Sequence, residues 1–346
     1  MPSGTYYFPE GFLWGTATAA HQVEGRNTNN TWYAWEQEEG RIAEGHTSGL
    51  ACDWWGSRWR EDFDRAEAAG QNAHRLSIAW SRIQPAPDRW DEEALDRYRE
   101  MLIGLQARKM TPMVTLHHFS EPLWVSEMGG WENEEISDLF SAFVRKAVEA
   151  LKPYCNLWVT INEPDVYTYS AYIEGVFPPG KQDLSAALRV MLHMVQAHAR
   201  AYHIIHELQP EARVGTAMHY RGFKPATWLP VDRWAAKVYH TLFNDLFPGA
   251  LTDGVFNAIL KRQKLPDAAG TQDFLGVNYY TTEKVRFDLL AGSQLFTHLS
   301  FPEKAALSET GFIANVPSGM AEAVRWGAGY GVPIIITENG VEDSED

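Results

Sequence analysis

Two glutamates occupy the same kind of place in the chain. Glu163 follows the apolar, β-branched run Leu157-Trp158-Val159-Thr160-Ile161, with Asn162 before it and Pro164 after it. Glu338 closes the run Val332-Pro333-Ile334-Ile335-Ile336-Thr337 and is followed by Asn339-Gly340. Each run reads as a buried strand that ends in a carboxylate next to a breaker. A carboxylate at such a place is costly unless it has a use. The pair therefore predicts two carboxyls that face one cleft, the equipment for general acid/base and nucleophilic chemistry.

The elements that must position them form a regular series. Seven apolar strand candidates appear: residues 12–17, 73–80, 112–119, 157–161, 213–218, 274–280 and 332–337. Helical patterns fall between them. Trp55, Trp59, Phe63 and Ala66 share one face of a helix expected from about Asp53. Asp91 is a good N-cap for a helix with Leu95, Tyr98, Leu102 and Leu105 on its apolar stripe. Ile136, Phe140, Phe143, Ala147 and Leu151 mark the next helix, and a long one is expected from about Leu184 to Leu208, before Pro210.

Strand–helix alternation with near-continuous apolar strands means a parallel sheet covered on both faces. The sheet either stays open and doubly wound or closes into a barrel. No glycine-rich phosphate signature follows the first strand, and Gly327-Ala328-Gly329-Tyr330-Gly331 precedes a strand instead of opening a helix. Polar residues at many strand ends (Gln22, His118, Asn162, Asn278, Glu338) favour a barrel, whose strand ends converge. The expected fold is an α/β (β/α)8 TIM barrel, a single domain over residues 1–346, with about seven βα units present.

Composition narrows the partners. The formal net charge of -15 disfavours nucleic acid and anionic membranes, and no apolar run is long enough to span a bilayer. The amino end lacks a basic region followed by an apolar one, and only Cys52 and Cys155 are present, so a cytoplasmic protein is expected. The sequon Asn29-Asn30-Thr31 is then idle. His117 and His118 are neighbours on a strand and point to opposite faces, which argues against a metal pair; His118 is expected inward and His117 packed outside. His203 and His206 read as surface or packing residues. The fourteen Trp are core side chains or platforms for sugar rings.

Five motifs in order carry a family resemblance. They are Phe8-Pro9-Glu10-Gly11-Phe12-Leu13-Trp14-Gly15, Thr115-Leu116-His117-His118, Thr160-Ile161-Asn162-Glu163-Pro164, Gly276-Val277-Asn278-Tyr279-Tyr280-Thr281 and Ile336-Thr337-Glu338-Asn339-Gly340. Together they resemble glycoside hydrolase family 1, the β-glucosidase-type enzymes. The resemblance implies hydrolysis of terminal β-D-glucosides, with galactosides and fucosides as further substrates, by double displacement through a covalent glycosyl-enzyme. It implies Glu163 as general acid/base and Glu338 as nucleophile. It places Gln22, His118 and Asn162 on the sugar hydroxyls, Asn278 and Tyr280 beside the catalytic pair, and Arg75 next to the nucleophile. No metal and no cofactor are implied. A retaining enzyme of this kind sets its two carboxyls roughly 5 Å apart.

The sequence departs from the family in two places. Phe119 follows His118 where the family often has Trp. The chain also ends at Asp346, soon after the seventh strand, where members continue into an eighth strand and its flanking helices. The expectation is a longer natural protein or a second chain that completes the barrel, with the acidic residues 342–346 as a mobile loop. The competing expectation is a non-catalytic or assembly-dependent sugar-binding member of the family.

Overall fold

The computed structural model describes residues 7–259, 261–292 and 295–342. The first six residues and the acidic residues 343–346, for which a loop was expected, lie outside the described residues. Seven strands build the central sheet: β1 (Gly15–Thr18), β2 (Ala73–Ser77), β3 (Thr111–His117), β4 (Leu157–Asn162), β5 (Arg213–His219), β6 (Phe274–Asn278) and β7 (Ile334–Glu338). They lie side by side in chain order and every pairing is parallel. The sheet curls until Cα atoms of β1 and β7 come within 8 Å of each other, a nearly closed barrel. The doubly wound alternative is thereby excluded. β1 and β7 are not hydrogen-bonded to one another, and Ile336 of β7 is 48% exposed.

Helices α1 (Trp59–Ala68), α2 (Glu92–Ala107), α3 (Ile136–Leu151) and α4 (Leu184–Leu208) wrap the first half of the barrel. Their sequence patterns explain them. The Asp91 carboxylate accepts from Ala94 N at the start of α2, and Asp183 caps α4 through Ser185 N and Ala186 N. Phe140, Phe143, Val144, Ala147, Val148 and Leu151 of α3 are fully buried against the barrel. Each large side chain among them contributes about 1.5–3 kcal/mol. Two bounds differ from the sequence expectation. The helix expected from Asp53 begins at Trp59, because Asp53 and Ser57 sit in left-handed backbone on either side of a 3-10 turn. The first strand begins only at Gly15, where a Cβ would stand 2.2 Å from Ala73 O; Phe8, Phe12 and Trp14 form a partly exposed aromatic cluster ahead of it.

Between β5 and β6 come α5 (Pro230–Tyr239), a π-helical stretch His240–Asp245, α6 (Leu246–Asp253) and a small hairpin, Val255–Ala258 with Lys261–Lys264. A separate three-stranded sheet of Thr297–Ser300, Thr282–Phe287 and Gly222–Pro225 stands over the same side. Helix α7 (Ser318–Ala328) leads into β7. No helix among the described residues is long and apolar enough to cross a membrane.

Candidate active site

The carboxyl ends of β2 to β7 converge on one cluster of polar side chains, the end of a barrel where active sites are assembled. Glu163 directly follows β4. Pro164 starts the short helix Pro164–Tyr169, and the turn between strand and helix puts Glu163 in left-handed backbone, φ 45° and ψ 61°. Its N–H still donates to Ala217 O of β5 at 2.7 Å, so the residue is held by the sheet although its conformation is strained. Glu338 is the last residue of β7. Its pairing with β6 shifts register between Ile336 and Glu338, and the pairing of β4 with β5 shifts between Val159 and Asn162. Such irregularities re-aim the side chains that follow them.

One hydrogen-bonded network ties the two glutamates together. Arg75 Nη1 donates to Glu338 Oε1 at 2.5 Å, Nη2 to Asn162 Oδ1 at 2.5 Å and Nε to Thr115 Oγ1 at 2.9 Å. Tyr280 O–H donates to Glu338 Oε2 at 2.6 Å. Asn278 Nδ2 donates to Glu163 Oε1 at 2.7 Å and to Asn162 Oδ1 at 3.3 Å, while Thr337 Oγ1 fixes Asn278 Oδ1 at 2.5 Å. Asn162 Nδ2 donates to His118 Nε2 at 3.2 Å. Glu163, Asn162, Asn278 and Arg75 are all buried.

The neighbours of Glu338 set its charge. Burial pushes Glu338 up, but the charge of Arg75 and the Tyr280 hydrogen bond outweigh it and hold the carboxyl below its ordinary range. His118 also acts in that direction when protonated, yet burial pushes its own imidazole down to about 3, so at neutral pH it carries no charge. Arg75 and Tyr280 therefore do the holding. Burial and the neighbouring Glu338 push the Tyr280 phenol far up, which keeps it a hydrogen-bond donor.

Seven of the eight residues singled out in the sequence meet here: Glu163, Glu338, His118, Asn162, Asn278, Tyr280 and Arg75. Gln22, on the short helix Ala20–Val23, is exposed and has no hydrogen bond to the others. His117 turns away into the layer between barrel and helices, where Nε2 meets Glu121 Oε1 at 3.1 Å and Trp131 Nε1 at 3.2 Å. No group of three His, Cys, Asp or Glu suited to a metal ion exists among the described residues. Asn29 of the sequon spends its amide on Pro85 O at 3.0 Å. His203 and His206 bond Asp267 O and the Asp273 carboxylate on the outer side of α4.

The sequence reading missed His219. Its Nδ1 lies 3.5 Å from Glu163 Oε1, and the imidazole is buried. The signal was available, a polar residue at the carboxyl end of an apolar strand, but that strand was expected to stop at Met218. Asp165 was missed as well: it is buried, and desolvation together with the Glu163 charge pushes its carboxyl well above the usual range.

Comparison with known proteins agrees with this architecture. Residues 5–346 match the family described as glycosyl hydrolase family 1. Beta-glucosidase A of Thermotoga maritima is 32% identical, over 96% of this chain and 78% of its own length. Cytosolic beta-glucosidase of Homo sapiens is 28% identical, over 98% and 81%. Among solved structures, the beta-glycosidase from Pyrococcus horikoshii superposes with a TM-score of 0.90 at 35% identity, covering 97% of this chain and 77% of its own. The Thermotoga maritima enzyme in complex with glucoimidazole gives 0.88 at 30%, covering 96% and 79%.

Proposed function

Because the chain belongs to glycosyl hydrolase family 1, we propose that it hydrolyses terminal β-D-glucosides with retention of configuration, through a glycosyl ester on Glu338. The observation that carries this reading is the unequal treatment of the two glutamates. Glu338 receives a guanidinium and a phenol O–H, which favour the charged form that attacks the anomeric carbon. Glu163 receives a neutral amide donor and no guanidinium, which suits a carboxyl that gives and takes a proton.

In the first step Glu338 attacks while Glu163 protonates the leaving oxygen, and the glycosidic bond breaks through an oxocarbenium-like transition state. In the second, Glu163 takes a proton from water, which cleaves the ester and restores both carboxyls. In this reading Asn162 holds the 2-hydroxyl, where hydrogen bonds tighten as positive charge develops. His118 Nδ1, buried without a partner among the described residues, is free for another hydroxyl. Gln22, exposed and uncommitted, is available to a third. Asn278 holds the acid/base, and Arg75 with Tyr280 holds the nucleophile. A cytoplasmic location, as for the human relative named cytosolic, belongs to the same proposal.

The test is covalent capture. A 2,4-dinitrophenyl 2-deoxy-2-fluoro-β-glucoside should release one equivalent of dinitrophenol in a burst and leave the sugar on the peptide that contains Glu338. Glu338→Gly should lower aryl β-glucoside turnover by at least about a thousandfold. Tight sugar binding with no adduct, or near-normal turnover by the variant, would overturn the reading in favour of a binding protein.

A further inference from the structure

A small cavity opens on the flank of the barrel, beside the short helix that follows Glu163. Its volume is about 60 Å³, and it lies between that helix, the start of α4 and the π-helical stretch His240–Asp245. Leu184, at its mouth, is 45% exposed, with Leu188 and Leu242 half-buried beside it. Met191, Phe243 and Asp165, further in, are buried.

The wall is mostly apolar, and its polar side chains are engaged elsewhere. Thr168 Oγ1 donates to Pro164 O at 2.7 Å, and the phenols of Tyr169 and Tyr239 hydrogen-bond to each other. Asp165 differs. Its Oδ1 accepts from Val166 N at 2.9 Å, but Oδ2 is buried with no hydrogen-bond partner among the described residues. A buried polar atom left alone in this way calls for a physical reason. Burial, helped by the charge of Glu163, keeps the carboxyl protonated, so it can donate as well as accept. Water fits poorly, because a buried water needs about two to four polar partners and Asp165 offers one. An apolar chain with a single polar head suits both the wall and the carboxyl.

We propose that this cavity binds a short-chain alcohol, its hydroxyl on Asp165 Oδ2 and its hydrocarbon tail along Leu188, Met191 and Phe243. Size sets the class. One water-sized group takes about 10–15 Å³, so the cavity admits about four to six of them, the size of butanol or cyclopentanol. A sugar ring is too large and too polar for it. The site is also distinct from the sugar cluster, since Glu338, Arg75, Asn162, His118 and Tyr280 do not line it. The two meet along the chain. Asp165 stands two residues after Glu163, in the first turn of the helix whose entry sets the left-handed backbone of Glu163. An alcohol seated there touches the segment that aims Glu163 without entering the sugar cluster, and its binding stands whatever role Glu163 has.

The test uses 3-azibutanol, a butanol that carries a photoreactive diazirine, with the labelled peptides read by mass spectrometry. Label should fall within residues 165–191 or 239–246, saturate with concentration and be displaced by 1-butanol but not by glucose. Asp165→Val should raise the half-saturating concentration about tenfold, the worth of one buried hydrogen bond. Asp165→Asn, which keeps a polar head, should stay within about threefold of the parent. Leu188→Trp, which fills the mouth, should abolish the saturable label. Label that does not saturate, that glucose displaces, or that both Asp165→Val and Leu188→Trp leave unchanged would overturn the proposal. Thermal melts identify a variant that fails to fold; saturation and displacement on the parent chain then carry the test. Photolabelling needs no turnover, so its outcome is separate from the covalent capture that checks Glu338.

Discussion

Arg75 donates to three acceptors at the site, Thr115 Oγ1, Asn162 Oδ1 and Glu338 Oε1. Its charge is also what keeps Glu338 ionised against desolvation, because His118 is neutral. Arg75→Met should therefore raise the Glu338 carboxyl and shift the acid limb of kcat/KM to higher pH by about a unit or more. The sign for stability follows from the same shift. Glu338 in the folded chain lies below its ordinary 4.5, so its contribution is complete above that value and is lost as pH falls through the lower folded value. The variant should lose about 3 kcal/mol at neutral pH, since a buried partner is left unpaired, and its melting temperature should fall less steeply than the parent's between pH 5 and 3. An unchanged acid limb would show that Tyr280 alone suffices.

At the level of strands, close backbone approach matters as much as side-chain chemistry. A Cβ on Gly276 in β6 would stand 2.7 Å from Thr216 O and 2.9 Å from both the methyl and the hydroxyl of Thr337. That hydroxyl fixes Asn278, which in turn holds Glu163. Gly276→Ala should cost about 1–3 kcal/mol through overpacking and should lower kcat through the displaced Asn278, read by a melt and by aryl glucoside kinetics. The sequence announced these strands because they are buried on both faces: Leu157–Asn162 and Phe274–Asn278 are almost wholly apolar until the polar residue at the end. The excursions above the barrel were hidden for the opposite reason. Thr282–Phe287 carries Glu283, Lys284 and Arg286, and Lys261–Lys264 is entirely polar, so neither shows an apolar run. Their partners are set by tertiary packing, not by local pattern. His219 went unseen at the boundary between the two regimes, one residue beyond where the apolar run stops.

Taken as a molecule, the barrel brings together groups that lie far apart along the chain. β4, which precedes Glu163, is paired on both sides, by β3 and β5. β7, which carries Glu338, pairs with β6 among the described residues, and Arg75 of β2 and Tyr280 reach its last side chain. The two carboxyls are joined through Arg75, Asn162 and Asn278, which draw β2, β4 and β6 into one network. In a urea titration, turnover should vanish together with far-UV circular dichroism and tryptophan fluorescence, since the site draws on strands from across the whole sheet; earlier loss of turnover would mean that the site opens locally. Glu338, the proposed nucleophile, is tied across the lumen by one guanidinium and one phenol. Cutting either tether should therefore slacken the attacking oxygen while leaving the staves of the cask in place.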